Sequence, residues 1–216
     1  MFLVIKKLFF AAFVLGIFLT TADVFAQGFE GIIDFRKYSP SDTTHYKYYV
    51  KDGNVRIEEI NKKGEIVGIM IVLPKINSVR ALSPERKMYM EVPNNNPPVM
   101  KGTPEIIKTK LTKEVAGVKC VQWRVKSADE KTEVTYWVAK GGYDFFIPLL
   151  KTLNRKDKLS YYFLSIPENE GVFPFEGEER ALTRELKNMV KVDNISKSKL
   201  DNKLFTIPAD YKKYEK

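Results

Sequence analysis

The chain has 216 residues, 36 of them Lys or Arg and 27 Asp or Glu, for a formal charge of +9, with a single His and a single Cys. These counts exclude an intramolecular disulfide, a His-pair zinc motif and the common Cys/His structural zinc sites. They leave room for one basic domain with a sizeable core.

The N-terminus reads as a secretory signal peptide. Lys6 and Lys7 precede the uncharged run Leu8 to Leu19, and Val24-Phe-Ala26 places small or short residues where a signal peptidase reads. The run is shorter than the roughly 20 residues a membrane-spanning helix needs, and Asp23 closes it. Cleavage after Ala26 is expected. It leaves residues 27–216 as one soluble, exported domain of the periplasm or cell envelope with no transmembrane span. No Cys stands at the exit to take a lipid anchor. The positive charge would favour anionic headgroups or acidic polymers, but it is scattered among acids, and export removes nucleic acid as the usual partner.

From Phe29 to Val138 short apolar-rich runs alternate with turn chemistry, predicting strands. Phe29 to Tyr38 is the first. His45 to Val50 and Asn54 to Ile60 flank Asp52-Gly53, a strong hairpin signature. Glu65 to Leu73 is apolar on both faces, with Ile66, Met70 and Val72 one way and Val67, Ile69, Ile71 and Leu73 the other, so it needs cover on both sides. Asn77 to Leu82 and Arg86 to Val92 pair around Ser83-Pro-Glu85. Pro93 to Pro98 is a polar loop with too many prolines for a sheet. Ile106 to Thr112, Lys119 to Lys126 and Thr132 to Val138 follow, with turns at Ala116-Gly117 and near Asp129. Consecutive strands with tight turns predict an antiparallel meander. A twisted sheet of that size must curl or close, and its concave face then needs a lid.

Gly141-Gly142 ends the alternation. Pro148 belongs in the first turn of a helix, after which Phe146, Leu149, Leu150 and Leu153 fall at helical spacing. A second short helical pattern lies in Leu159, Tyr162 and Phe163. Helices this short are marginal alone, so docking on the sheet must hold them. Glu185 to Ile195 predicts a late strand, and Leu204 to Tyr211 a short extended end. The expected class is α+β, mainly β: a curled antiparallel sheet covered by one or two short helices.

Catalytic signatures are scarce. His45, in Ser41-Asp-Thr-Thr-His45, reads as a surface residue at a strand start, and Cys120 as a small strand residue. Glu58-Glu59, Glu168, Glu170 and Glu176 to Glu179 could do acid–base work only if brought together across a cleft; beside Lys and Arg they read as solvated faces. The expectation is a protein that is not an enzyme, without cofactor or metal.

The meander ending in Tyr136-Trp137-Val138, the helix Phe145 to Leu153, the late strand, the Phe-x-Ile-Pro-x-x-Tyr-Lys ending at Phe205 to Lys212 and the rhythm Tyr48-Tyr-Val-Lys-Asp-Gly-Asn-Val-Arg-Ile57 together resemble the LolA/LolB-like superfamily of envelope lipoprotein carriers. The likeness is greatest to an uncharacterised exported family within it. The resemblance implies a half-open antiparallel barrel with helices across its mouth and an apolar cavity between, which in the well-studied carriers takes lipoprotein acyl chains. No catalytic residues come with it. The functional arginine of those carriers has no match here, so lipoprotein transport does not carry over. The expected function is binding of an apolar small molecule or acyl chain, with Ile69, Ile71, Phe145, Phe146, Leu149 and Leu150 as lining residues. The alternative is an interaction or sensory domain of the envelope, its core filled by its own side chains and its partner another envelope protein.

Overall fold

In this computed structural model residues 28–93 and 97–215 are described. The expected signal peptide and cleavage after Ala26 lie outside the described residues, as does the middle of the Pro93–Pro98 loop. Two meanders build one sheet. The first runs through β1 (Gly31–Tyr38), β2 (Thr43–Lys51), β3 (Asn54–Ile60), β4 (Ile66–Leu73), β5 (Ser78–Ser83) and β6 (Met88–Glu91). The second comprises β7 (Glu105–Val115), β8 (Val118–Ser127), β9 (Thr132–Lys140), β10 (Val172–Ala181) and β11 (Leu186–Lys197). Turn chemistry sets the hairpins: Asp52 and Gly53 both have positive φ, 53° and 79°, the backbone a two-residue hairpin demands.

The meanders join where β1 pairs antiparallel with β11, Phe35 opposite Val192. A two-residue strand, β12 (Lys212–Lys213), adds in parallel beside β6. The result is a twelve-stranded sheet in the order β12-β6-β5-β4-β3-β2-β1-β11-β10-β9-β8-β7. It curls as its twist requires, a half-open barrel whose concave face carries α1 (Phe146–Leu153) and α2 (Lys158–Leu164), inserted between β9 and β10. Pro148 does sit near the start of α1. Asn154, left-handed at φ 48°, ends that helix, its N–H bonding the Leu150 carbonyl at 2.9 Å.

One strand has no counterpart among the predicted elements, and two sequence expectations need correction. Val172–Ala181 is a strand, although Pro174, Gly177 and four charged residues argue locally against one. The register shifts between Pro174 and Glu176, which absorbs the proline, while Gly177 leaves space for Leu159, whose Cδ2 would lie 3.1 Å from an added Cβ. Leu204 to Tyr211 is not extended throughout, because Asn202–Phe205 forms a 3-10 turn capped by Asp201. Finally, β4 is covered on both faces only in its second half. Ile66 and Val67 are exposed by 40% and 48%, whereas Ile71 and Val72 are fully buried on opposite sides.

Two cores result. The larger fills the concave face beneath the helices and includes Ile33, Val50, Val55, Val72, Leu149 and Phe163. The smaller lies on the other face of β4 and β5, where Ile69, Ile71 and Leu82 are covered by Tyr89 and the tail residue Tyr211. The tail is also held by polar bonds. Lys51 Nζ donates to the Leu200 carbonyl at 2.6 Å, and Arg56 to that of Leu204 at 3.3 Å. Beneath it Glu58, nearly buried, accepts from Arg56 at 2.8 Å and from the Tyr49 hydroxyl at 3.1 Å, so its charge is compensated.

Candidate binding site under the helices

Strand alternation decides which side chains face the helices. On β1 these are Ile33, Phe35 and Lys37; on β2, Tyr46 opposite Phe35 and Tyr48 opposite Ile33. Phe35 stacks on Tyr46 at 5.4 Å between ring centres and meets the edge of Tyr48 at 4.7 Å. Phe146 and Leu150, one helical turn apart on α1, face them with Leu159 of α2, and Phe173 and Phe175 of β10 close the far wall. Together they surround a half-open cavity of about 100 Å³. That is smaller than the ~150 Å³ apolar cavity that admits benzene.

The rest of the concave side is filled with rings. Phe146 meets Phe173 at 4.8 Å and Phe163 at 5.3 Å; Phe173 meets Phe175 at 5.5 Å; Trp123 stacks on Phe163 at 6.4 Å. Such pairs stabilise beyond the area they bury, by about 0.5–1.5 kcal/mol each.

The mouth is polar. Lys37, Arg155, Asp157 and Ser160 edge it. The Arg155 guanidinium has Met70 Sδ at 3.5 Å, and Asp157 is occupied by the backbone N–H and hydroxyl of Ser160, both at 3.0 Å. Burial pushes the Tyr48 phenol up to about 12 despite the opposing charge of Arg155. Burial also raises Tyr46, helped by Glu59 and opposed by Arg155. Arg155 additionally borders a wider open groove of about 650 Å³ that runs past Met100, Lys151 and Tyr161.

Polar bonds fasten α2. The Tyr136 hydroxyl, buried under the helix, donates to the Leu159 carbonyl at 3.0 Å. Glu130, on the turn between β8 and β9, accepts from the Tyr161 and Tyr162 hydroxyls at 2.5 and 2.9 Å and from the Lys101 N–H at 3.0 Å, with Lys158 Nζ at 3.4 Å. Burial alone would raise this carboxyl, but the donors overcome it and hold the group down at about 2.

Of the sequence-predicted lining residues, Phe146 and Leu150 border the cavity. Leu149 is fully buried in the main core. Phe145 borders a separate hollow of about 270 Å³ beside Phe29, Pro74 and Pro148. Ile69 and Ile71 do not face the helices: they belong to the outer core under Tyr211, and their strand neighbours Met70 and Val72 point inward instead. The sequence reading missed Phe35, Tyr46, Tyr48, Phe175, Val190 and Arg155. The first three were findable, because Ile33/Phe35/Lys37 and Tyr46/Tyr48/Val50 each share a period-two face. His45 lies on β2 with its Nε2 3.5 Å from Asp34. Cys120 is buried, its thiol pushed up to about 11 by desolvation. Among the described residues no group of three His, Cys, Asp or Glu side chains could hold a metal ion, and no helix is long and apolar enough to cross a membrane.

Fold and cavity together define a class: an antiparallel half-barrel with a two-helix lid over an apolar concave face. The chain belongs to the DUF4412 family, described as a domain of unknown function, whose profile matches residues 29–211. No curated protein matches its sequence. Among solved structures it is similar to an uncharacterized conserved protein from Thermus thermophilus, with a TM-score of 0.55 at 8% identity over 88% of this chain and 91% of that one. It is also similar to a chain of the Pseudomonas aeruginosa MucA/MucB complex, with a TM-score of 0.50 at 9% identity, covering 86% of this chain and 58% of that one. At such identities the likeness is one of fold.

Proposed function

We propose that this protein is an exported, non-catalytic binding protein of the cell envelope that receives the apolar part of a small molecule or lipid between the curved sheet and its helices. The observation that carries this reading is the half-open cavity walled jointly by Phe35, Tyr48 and Phe175 from the sheet and by Phe146, Leu150 and Leu159 from the lid. Ligand sites of this kind are concave and mostly apolar, with a few polar groups at fixed points. Kinship with the LolA/LolB-like superfamily, suggested by the sequence motifs, belongs to the same reading. As it stands, about 100 Å³ takes a short or branched alkyl group. A long acyl chain requires α1 to move off the sheet.

The test is native mass spectrometry and organic extraction of the gently purified mature protein, with titration of the fluorescent apolar probe N-phenyl-1-naphthylamine. A co-purifying apolar molecule, or saturable probe uptake that drops on Leu150→Trp, is the expected result. No extracted lipid together with no saturable uptake removes the reading.

A second reading is favoured by the ring cluster that fills most of the concave side: a domain that docks another envelope protein and holds no ligand. The MucA/MucB complex, to a chain of which the fold is similar, is an assembly of proteins. This second reading stands if the ligand tests fail and an envelope protein is retained specifically and stoichiometrically on the immobilised domain.

A further inference from the structure

The mouth of the cavity contains a feature that apolar binding leaves unused. Lys37 occupies an inward-facing position of β1, in line with Ile33 and Phe35, where strand alternation asks for an apolar residue. Among the described residues its ammonium forms neither an ion pair nor a hydrogen bond. Arg155, in the connection between α1 and α2, borders the same cavity; its guanidinium has the Met70 thioether at 3.5 Å and lies near Tyr46 and Tyr48, and it forms no ion pair among the described residues. Both cations are partly buried. Two of the nearby acids are otherwise engaged, Asp157 capping α2 through Ser160 and Glu179 accepting from Asn188 at 2.8 Å; the third, Glu59, stands opposite Tyr46 on β3, exposed and beside that phenol. Lys191 borders the cavity only through its strand position: it alternates with the inward-facing Val190 and Val192 and turns its side chain to the outer face, where Nζ lies 4.0 Å from Glu176. Two half-desolvated cations without carboxylate partners, at the open end of an oily cavity, are costly unless something negative visits them.

We infer that the cavity mouth is an anion subsite formed by Lys37 and Arg155, and that the ligand is an amphipathic anion: an alkyl group carrying a carboxylate or a phosphate. The inference rests on the binding reading above and specifies its ligand class. Arg155 suits the role chemically, since a guanidinium offers a planar fork to two oxygens and stays charged at any pH the protein meets. The Tyr48 hydroxyl, held protonated by its burial, is a further donor on the same wall. The alkyl group would then lie against Phe35, Phe146 and Phe175, with the head at the water boundary where desolvation costs least.

The experiment compares three probes of one chain length on the mature protein by calorimetry or chemical-shift titration: octanoate, octanamide and octyl phosphate. Octanoate should bind about tenfold tighter than its neutral near-isostere octanamide, the scale of one charge-assisted hydrogen-bonding pair. In Arg155→Gln the octanoate-to-octanamide ratio should fall to within about threefold, with a smaller fall in Lys37→Gln. Octyl phosphate exceeding octanoate would assign the natural head to a phosphate; the reverse order assigns a carboxylate. Equal binding of octanoate and octanamide, unchanged by either substitution, overturns the subsite and leaves the apolar cavity standing. Binding of none of the three overturns the cavity reading and the subsite with it. Both substitutions lie at partly exposed positions, and far-ultraviolet circular dichroism of each variant checks that the fold is kept.

Discussion

The two lid helices are neighbours of similar length held down by different physics. α1 has no side-chain cap at its start and buries Phe146, Ile147, Leu149, Leu150 and Thr152. Its attachment is area, a non-directional force. α2 buries only Leu159, Tyr162 and Phe163, but Asp157 caps its first turn and Glu130 gathers both of its tyrosines. Its attachment is a set of directional bonds. An apolar contact tolerates sliding, whereas a hydrogen-bonded pin does not. The contrast therefore assigns motion to α1 and anchorage to α2, and places any widening of the cavity at the Phe146–Leu150 side.

The largest blow to that contrast is Leu149→Ala. The residue is fully buried in the main core, and removing its side chain should cost about 2–5 kcal/mol in a denaturant titration. It should also raise amide exchange through α1 ahead of α2; equal acceleration in both helices would mean that the lid moves as one body.

Glu130→Gln comes next. Losing the charge from a carboxylate with three good donors should cost about 2 kcal/mol at neutral pH, and exchange should rise in α2 rather than α1. The sign of the pH dependence follows from the depressed carboxyl. Its ordinary value is 4.5 and its folded value about 2, so its contribution is complete above about 4.5 and is lost as pH falls through about 2. The stability difference between the wild type and Glu130→Gln should accordingly shrink across that window. A difference that stays constant with pH would mean that the carboxylate charge is not what holds the helix.

The smallest effect sharpens the comparison. Asp157→Ala removes one cap and should cost about 1 kcal/mol, with exchange rising in the first turn of α2 alone. If α1 responds as well, Asp157 serves the connection at Arg155 and not only the helix that it begins.

Much of this architecture was legible along the chain. Asp52-Gly53 and Ala116-Gly117 turn where their chemistry says, and Pro148 marks the beginning of a helix, because these are preferences of one or two residues for their own backbone angles. β10 was not legible. Val172–Ala181 contains a proline, a glycine and a run of charges, and only its neighbours explain it: a register shift accommodates Pro174, Leu159 needs the space at Gly177, and Glu176 is neutralised by Lys113 on the outer face. The candidate site was half legible. Phe146 and Leu150 follow from helical spacing, whereas assigning Ile69 and Ile71 to the cavity required knowing which face of a doubly apolar strand the helices choose.

The sequence by itself determined a predominantly antiparallel β domain with a short apolar helix after its ninth strand, since turns, alternation and helix starts are local properties. Tertiary structure alone decided that β1 lies against β11, that the tail rather than the lid covers Ile69 and Ile71, and that Lys37 and Arg155 edge one cavity. Those outcomes depend on pairings between segments more than a hundred residues apart, and no short stretch of chain contains the free energy that selects them.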